Sequence, residues 1–294
     1  MEEIIRSDIF RNALLGGSLT AILCTAVGYF MVLRALAFAS EALTDIGFAG
    51  ATGSVLLGWN PFWGMIGLSI LAVVALGTLG SSNKLKGRDV DVGMVLSFAL
   101  GLGVLFLSLY ARSSASHASS GVRILFGSLM SLTGPVLRLL LIVAIAVLLV
   151  LVLIFRPLLF ASVDPNCARA KGVPTKTLDY VYLILLAATT AVSIQAIGVL
   201  LAFSLISAPA GAAHKLTRNP ALALLVAVLL GLGITWSSIL LSFLGPWGKI
   251  PLGFYITSFS ALIYGLALLR DQFRTRIKLE APHHHERETT LIED

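Results

Sequence analysis

Apolar runs long enough to cross a membrane recur along almost the whole chain, joined by short connections that carry charges, glycine or proline. One crossing takes about 20 residues, and an α-helix satisfies its own backbone hydrogen bonds where no water is available. The composition agrees, because 57% of the residues are hydrophobic and only 12% are charged. These features predict an all-α, polytopic membrane protein whose single transmembrane domain covers residues 1–280.

The runs predict about nine transmembrane helices. We expect them near residues 12–33, 37–57, 61–80, 92–111, 135–155, 177–193, 196–213, 220–243 and 252–270. The segment before the first run has no net positive charge and no cleavage site of small residues follows the run, so we interpret it as a retained span and not as a signal peptide. The remaining tail, residues 281–294, lacks helix caps and apolar periodicity, which predicts a disordered cytoplasmic segment.

Lys and Arg residues are divided unevenly between the two sets of loops. With the C-terminus in the cytoplasm, 15 of the 21 Lys and Arg residues fall on the inner side, as the positive-inside rule requires. This distribution predicts an outer N-terminus and a cytoplasmic C-terminus, and it accounts for the net charge of +6 without nucleic acid. The boundary between the sixth and seventh spans is the least clearly marked. If one long broken helix occupied this region, the loops would no longer alternate between the inner and outer sides as the charges require.

Signatures of nucleotide binding and hydrolysis are absent from the sequence. It contains no G-x-x-x-x-G-K-[ST], no H-E-x-x-H and no G-x-S-x-G motif. Cys24 and Cys167 form neither a disulfide framework nor a C-x-x-C pair. We therefore predict a non-catalytic transport subunit that would need a partner chain to use ATP. An intramembrane enzyme has little support, because no nucleophile and base stand at plausible spacing within the spans.

Two acids lie inside the second predicted span, in the stretch SEALTDIGFAGATG. Glu41 and Asp45 share one helical face, and an ionised carboxylate at such depth costs about 2.5 kcal/mol or more. They could form a structural pair that reaches backbone, Arg34 or Arg138, or they could line a translocation pathway. A divalent metal ion is an apt occupant, because hard cations bind carboxylate oxygens. A second helix or subunit would then supply the other ligands.

Small residues follow the acids along the same helix. Ala49 and Gly53 continue the acidic face at steps of four, and Gly47 and Gly50 lie close by. Such residues permit close helix contacts or leave a narrow path. Helix contacts are the commoner use in membranes, so we expect the small residues to pack against neighbouring helices.

A second informative stretch is SVDPNCARAKGVPTKTLDY in the longest charged inner loop. Asp164 can cap the N-terminus of a helix, Pro165 suits its first position, and Gly172 can end it. A helix of about two turns is too short to span, so we expect it at the cytoplasmic surface, with Ala168 allowing close contact. It could be a plain connector, but caps at both ends favour a docking element for a cytoplasmic partner.

Three stretches together resemble the bacterial zinc and manganese ABC permease family. They are FASEALTDIGFAGATGSVLLGWNPFWG, the D-P-x-x-A-x-x-x-G spacing that ends at Gly172, and QAIGVLLAFSLISAPAGAAHKLTRNP. The resemblance implies a homodimer in the bacterial inner (cytoplasmic) membrane, cytoplasmic ATP-binding subunits, and a periplasmic or extracellular solute-binding protein. It implies no permanently bound cofactor. The transported ion would be manganese, zinc or iron, and the Asp164–Gly172 helix would couple transport to the ATPase.

The sequence departs from that family at the acids. The family often has an Asp-x-x-x-His pattern in this block, whereas this chain has Glu41 at the Asp position and Asp45 at the His position. Loss of an imidazole ligand shifts the preference from zinc toward harder ions such as manganese or iron(II). The alternative function is a stand-alone secondary transporter in which Glu41 and Asp45 carry protons or cations.

Three further features have open interpretations. His283, His284 and His285 form either an incidental tail or a cytoplasmic metal sensor. His117 lies in a polar outer loop, where solvation alone explains it. The segment 121–134 is too short an apolar stretch to span and contains three glycines, which predicts a re-entrant or interfacial segment.

Overall fold

The computed structural model describes residues 8–79, 85–113, 127, 129, 132–217, 219–244 and 252–280. These ranges contain eleven α-helices and no β-strand, so the predicted all-α fold is confirmed for the described part of the chain. The helices are α1 Asp8–Leu33, α2 Ala37–Leu56, α3 Pro61–Leu79, α4 Leu85–Ser113, α5 Gly134–Leu153, α6 Phe155–Val163, α7 Pro165–Ala170, α8 Thr175–Ile197, α9 Val199–Leu216, α10 Pro220–Leu244 and α11 Leu252–Glu280.

Seven of the described helices are long and apolar enough to cross a membrane: α1, α4, α5, α8, α9, α10 and α11. The predicted count of nine is therefore not confirmed. α2 is outside this group because its two acids and many small residues lower its mean hydropathy. α3 is apolar along its 19 residues, Pro61–Leu79.

The first helix lies at the centre of the bundle, where it packs against α5, α8, α9 and α10. α10 runs antiparallel to α1, because Gly231 lies against Thr25 and the rings of Phe10 and Phe243 meet at 5.2 Å beyond it. Gly28 lies against the backbone of Ile206 in α9, so a side chain at this position would collide with that helix. Small residues therefore let the helices around α1 approach closely.

The eighth helix also runs antiparallel to α1. Its first turns meet the end of α1, where Asp179 pairs with Arg34, and farther on the Ser193 hydroxyl lies 3.0 Å from the Cys24 sulfur. α1 terminates and α8 starts on the same side of the bundle, which we call the α7 end. We call the other side the opposite end.

A single residue separates α8 from α9. Gly198 has φ +88° and ψ 164°, a conformation open essentially to glycine alone. Its N–H donates to the Ile194 carbonyl at 2.9 Å, and its own carbonyl accepts from Ala202 N–H at 3.0 Å. α9 leads into α10, which starts at the α7 end, so α8 leaves that end and α9 returns to it. Two antiparallel helices therefore fill this region, and one long broken helix is excluded.

The second, third and fourth helices form a tightly packed group. α3 crosses α2 so closely at Gly50 and Gly64 that neither position has room for a side chain. α4 lies against α2 where Gly103 meets Phe48 and Ala49. This group joins the rest of the bundle mainly through contacts of α2 and α3 with α8, which leaves part of the surface of α2 uncovered.

Several helices extend past the predicted apolar limits. α1 begins at Asp8, α4 at Leu85, and α11 continues to Glu280, because helical hydrogen bonding can continue into polar sequence beyond the membrane. In the re-entrant candidate, Leu129 and Leu132 are buried, and Gly127 lies against the backbone of Ile197. His117, the His283–His285 tract and the whole 281–294 tail lie outside the described residues.

Candidate functional site

Glu41 and Asp45 lie in the first half of α2, which starts at the α7 end. The residues between them, Ala42, Leu43 and Thr44, are buried, whereas both acids are only partly buried. The two carboxylates therefore lie on a face of α2 that neighbouring helices of the same chain do not fully cover.

Neither predicted cation reaches the acids. Arg34 pairs with Asp179 instead, and Arg138 lies near the start of α5 at the opposite end of the bundle. Across the ranges that the structure describes, no Lys, Arg or His nitrogen comes within 4.0 Å of Glu41 or Asp45. The structural pair with Arg34 or Arg138 is therefore not formed in this conformation.

The small residues of α2 make helix contacts, as predicted. Gly47 lies against Ile194 of α8, Gly50 against Gly64 of α3, and Gly53 against the ring of Phe106 in α4. Asp45 precedes Gly47 by two residues, so their side-chain positions differ by about 160° around the helix axis. The acids therefore point away from the contact with α8, whereas farther along their own face Ala49 and Gly53 pack against α4.

The two acids provide carboxylate oxygens on one face, a chemistry suited to divalent cations. Within the described residues, no group of three or more His, Cys, Asp and Glu side chains could hold a metal ion. Nearby hydroxyls are partly engaged, since Thr44 donates to the Ser40 carbonyl at 2.8 Å. The Ser40 hydroxyl itself is buried and has no hydrogen-bond partner among the described residues.

The predicted surface helix is present as α7, and its caps are those expected from the sequence. An Asp164 carboxylate oxygen accepts from Asn166 N–H at 3.1 Å and from Cys167 N–H at 2.9 Å, and Pro165 occupies the first turn. Gly172 follows the helix at φ +80°, which only glycine adopts freely. Six residues form the helix, slightly fewer than two turns.

One side chain anchors α7 while the others face outward. Ala168 is fully buried, whereas the remaining α7 residues and the two that follow them are exposed. Arg169 Nε donates to the Thr175 hydroxyl at 3.0 Å, which ties α7 to the first residue of α8. A short helix is thus held rigidly against the bundle and presents a polar surface.

A cluster that the sequence did not predict lies behind α7. Arg34 pairs with Asp179, its guanidinium carbon lies 5.4 Å from the centre of the Tyr182 ring, and the Tyr182 hydroxyl donates to the Val27 carbonyl at 2.9 Å. Both charges are visible in the sequence, because Arg34 directly follows the first predicted span and Asp179 is the third residue of the sixth. Sequence alone did not indicate that these two spans are neighbours.

Two known proteins are similar in sequence to this chain over most of its length. The chain is 31% identical over 254 residues to the manganese import system permease protein ScaB of Streptococcus parasanguinis, covering 86% of this chain and 88% of that protein. It is 25% identical over 233 residues to the manganese transport system membrane protein MntC of Halalkalibacterium halodurans, covering 78% and 77%.

The fold has a solved counterpart. The structure of PsaBC from Streptococcus pneumoniae in complex with Fab matches with a TM-score of 0.77 and 23% identity, covering 90% of this chain and 93% of that one. The model of the ABC 3 transport family matches residues 6–271. The resemblance inferred from the sequence is thus confirmed, and the chain, a multi-pass membrane permease, belongs to the ABC 3 transport family.

Proposed function

We propose that the protein is the membrane-spanning subunit of an ABC importer that moves a divalent transition metal, manganese, zinc or iron(II), across the bacterial inner membrane. Metal would arrive from an extracytoplasmic solute-binding protein, and ATP hydrolysis in partner subunits would drive its release inside. The observation that carries the proposal is the partly exposed Glu41 and Asp45 pair in α2, which has no cation partner among the described residues.

Several observations support manganese as the first ion to test. Two of the relatives are named for manganese transport or import. Two carboxylates and no imidazole on this face of α2 also favour a harder ion over zinc. A transport site must release its ion, and carboxylates with retained water suit this better than a closed cage of four ligands.

The remaining ligands would come from water and from a second copy of the chain. Dimerisation would cover the acidic face of α2, which the helices of one chain leave partly exposed. Two copies facing one another would bring four carboxylates to one pathway. Mutual repulsion between them would then be relieved by the passing cation.

The ATPase would dock on α7. A capped helix with one buried anchor and an exposed face can transmit a push without bending, and Asp164, Pro165, Ala168 and Gly172 together build it. The permease itself would hold no permanent cofactor and perform no chemistry.

The test is metal uptake into proteoliposomes that contain the permease, its ATPase and the binding protein. Asp45→Asn keeps the size of the side chain but removes its charge, so uptake should fall roughly tenfold or more, equivalent to about 1.4 kcal/mol. Asp45→His should retain more uptake than Asp45→Asn and shift the preference toward zinc. Expression and dimer assembly should stay normal for both.

Asp8→Asn is the matched control, because Asp8 is an acid whose side chain is 82% exposed at the start of α1. Its removal should leave uptake unchanged. Parental uptake and metal preference in Asp45→Asn would show that the acids do not line the pathway. Uptake that persists without ATPase but collapses with the proton gradient would instead indicate a secondary transporter.

A further inference from the structure

The ion pair between Arg34 and Asp179 connects the end of α1 to the first turns of α8. The Arg34 side chain is only 10% exposed, whereas that of Asp179 is 50% exposed. The guanidinium nitrogen Nη2 makes the pair, and Nη1 is buried without a hydrogen-bond partner in the described part of the chain. A buried donor left without an acceptor is unfavourable, so the pair is not fully satisfied in this conformation.

Aromatic rings hold the guanidinium in place. It lies over the Tyr182 ring, and Tyr182 is tied to the Val27 carbonyl by its hydroxyl. The Phe30 ring packs edge-on against Phe155 of α6 at 5.5 Å. The end of α1 is therefore joined to α8 and α6 at one point, directly behind α7.

A cavity of about 210 Å³, half open to solvent, lies between this point and α7. Three segments contribute residues to its lining: the α1–α2 turn, α8, and the region where α6 meets α7. They are Arg34, Leu36, Ala161, Ser162, Pro165, Asp179 and Leu183. Because no side chain fills this half-open cavity, α7 and the α1–α2 turn can move relative to one another without repacking the close-packed interior.

The covalent and polar connections run from α7 to the acids. Arg169 ties α7 to Thr175, and Asp179 follows Thr175 by one helical turn. Asp179 in turn holds Arg34, which lies three residues before α2 begins and seven before Glu41. A displacement of α7 that carries the start of α8 with it would therefore pull on the turn that leads into the acidic helix.

We propose that Arg34 and Asp179 are positioning residues, which convert movement of α7 into a change in the direction of α2 and thus of Glu41 and Asp45. The inference rests on the proposed function. We call an ion pair that only holds α1 and α8 together a static staple. A pair that transmits movement also requires the neighbouring cavity to change shape.

The experiment measures metal ions taken up per ATP hydrolysed by the complete transporter in proteoliposomes. Arg34→Gln and Asp179→Asn should each lower this ratio by roughly tenfold, within the range of coupling between two sites, while ATP hydrolysis continues. Arg34→Lys should keep most of the ratio. Exchange of the charges in the double variant Arg34→Asp with Asp179→Arg should restore part of what either exchange alone loses.

A second variant tests the cavity independently of the pair. Ala161→Val adds two methyl groups to the cavity wall, which should preserve or raise thermal stability while lowering the coupling ratio. The matched control is Lys215→Gln, which removes a 3.4 Å pair with Asp271 between α9 and α11 at the same end of the bundle. That variant should couple like the parent.

The outcomes separate the two proposals. If ATP hydrolysis by the parental complex drives no uptake of metal, the proposed function is wrong. If the parent couples normally and Asp179→Asn and Ala161→Val do so as well, the inference is wrong and the pair is a static staple. Loss of coupling in Arg34→Gln together with loss of assembly would also indicate a staple, unless Ala161→Val uncouples the intact complex.

Discussion

At the residue scale, Ala35 has the most unusual backbone among the described residues, because it is the one non-glycine residue there with positive φ, at +53°. Leu36 N–H donates to the Met31 carbonyl at 2.9 Å, and Ala35 N–H donates to Val32 at 3.2 Å, which is the Schellman pattern at the end of α1. Gly172 occupies the same position after α7. Alanine thus stands where glycine is strongly preferred.

Replacing Ala35 with glycine should stabilise the protein. The left-handed conformation costs a residue with a Cβ about 1 kcal/mol, so the free energy of unfolding of Ala35→Gly should rise by about that amount. Thermal unfolding of the purified protein measures it. Ala261→Gly, at an exposed helical position of α11, is the control and should lower stability by about 1 kcal/mol. Equal destabilisation by both variants would contradict the left-handed assignment.

Individual residues show how far sequence reasoning reaches. The caps of α7 were predictable, because Asp164, Pro165 and Gly172 act through hydrogen bonds within a few residues. Glu41 and Asp45 were found because acids stand out in an apolar span. The Arg34–Asp179 pair was not, since its partners are distant in the chain, and pairings between distant spans depend on the packing of the whole bundle.

At the element scale, α7 depends on its caps more than the longer helices do. It has six residues, and an isolated helix of this length does not persist in water. Its order comes from Asp164 at one end, the Gly172 turn at the other and the buried Ala168 between them. The cap oxygen, rather than the charge of Asp164, satisfies the two N–H groups.

Removal of the cap should weaken ATPase docking. Asp164→Ala loses about 1 kcal/mol of helix stability, and the affinity of the ATPase for the permease should fall, whereas Asp164→Asn should retain it because asparagine caps equally well. Protection of the exposed Cys167 thiol from a maleimide by added ATPase reports the binding. Full protection in Asp164→Ala would show that docking does not depend on the cap, and an unprotected Cys167 in the parent would argue against α7 as the docking element. Loss of protection in both variants would indicate a charge contact instead.

At the scale of the whole molecule, the described charges divide between the two ends as the positive-inside rule requires. Arg34, Arg156, Arg169, Lys171, Lys176, Lys215 and Arg270 lie toward the α7 end, whereas Arg11, Arg112 and Arg138 lie toward the opposite end. The sequence predicted this alternation because loop charge is a local property. It did not predict which helices lie centrally, because every span is apolar and the order of packing depends on small residues such as Gly28 and Gly231.

The α7 end should therefore face the cytoplasm, and the native cysteines allow a direct test. Cys167 is exposed and Cys24 is buried, so a membrane-impermeant maleimide should label the unmodified protein in inside-out vesicles and not in right-side-out ones. Asn60→Cys in a Cys167→Ser background places a thiol in the exposed turn between α2 and α3 and should give the reverse result. The opposite pattern for both would invert the proposed orientation.

The single-residue link at Gly198 has a consequence for how the protein is made. No polar loop separates α8 from α9, so the turn between them leaves very few backbone groups for water or headgroups to satisfy. We therefore expect the two helices to insert into the membrane as one hairpin. A substitution that impairs this step would reduce the yield of inserted protein without altering the transport of the molecules that do fold.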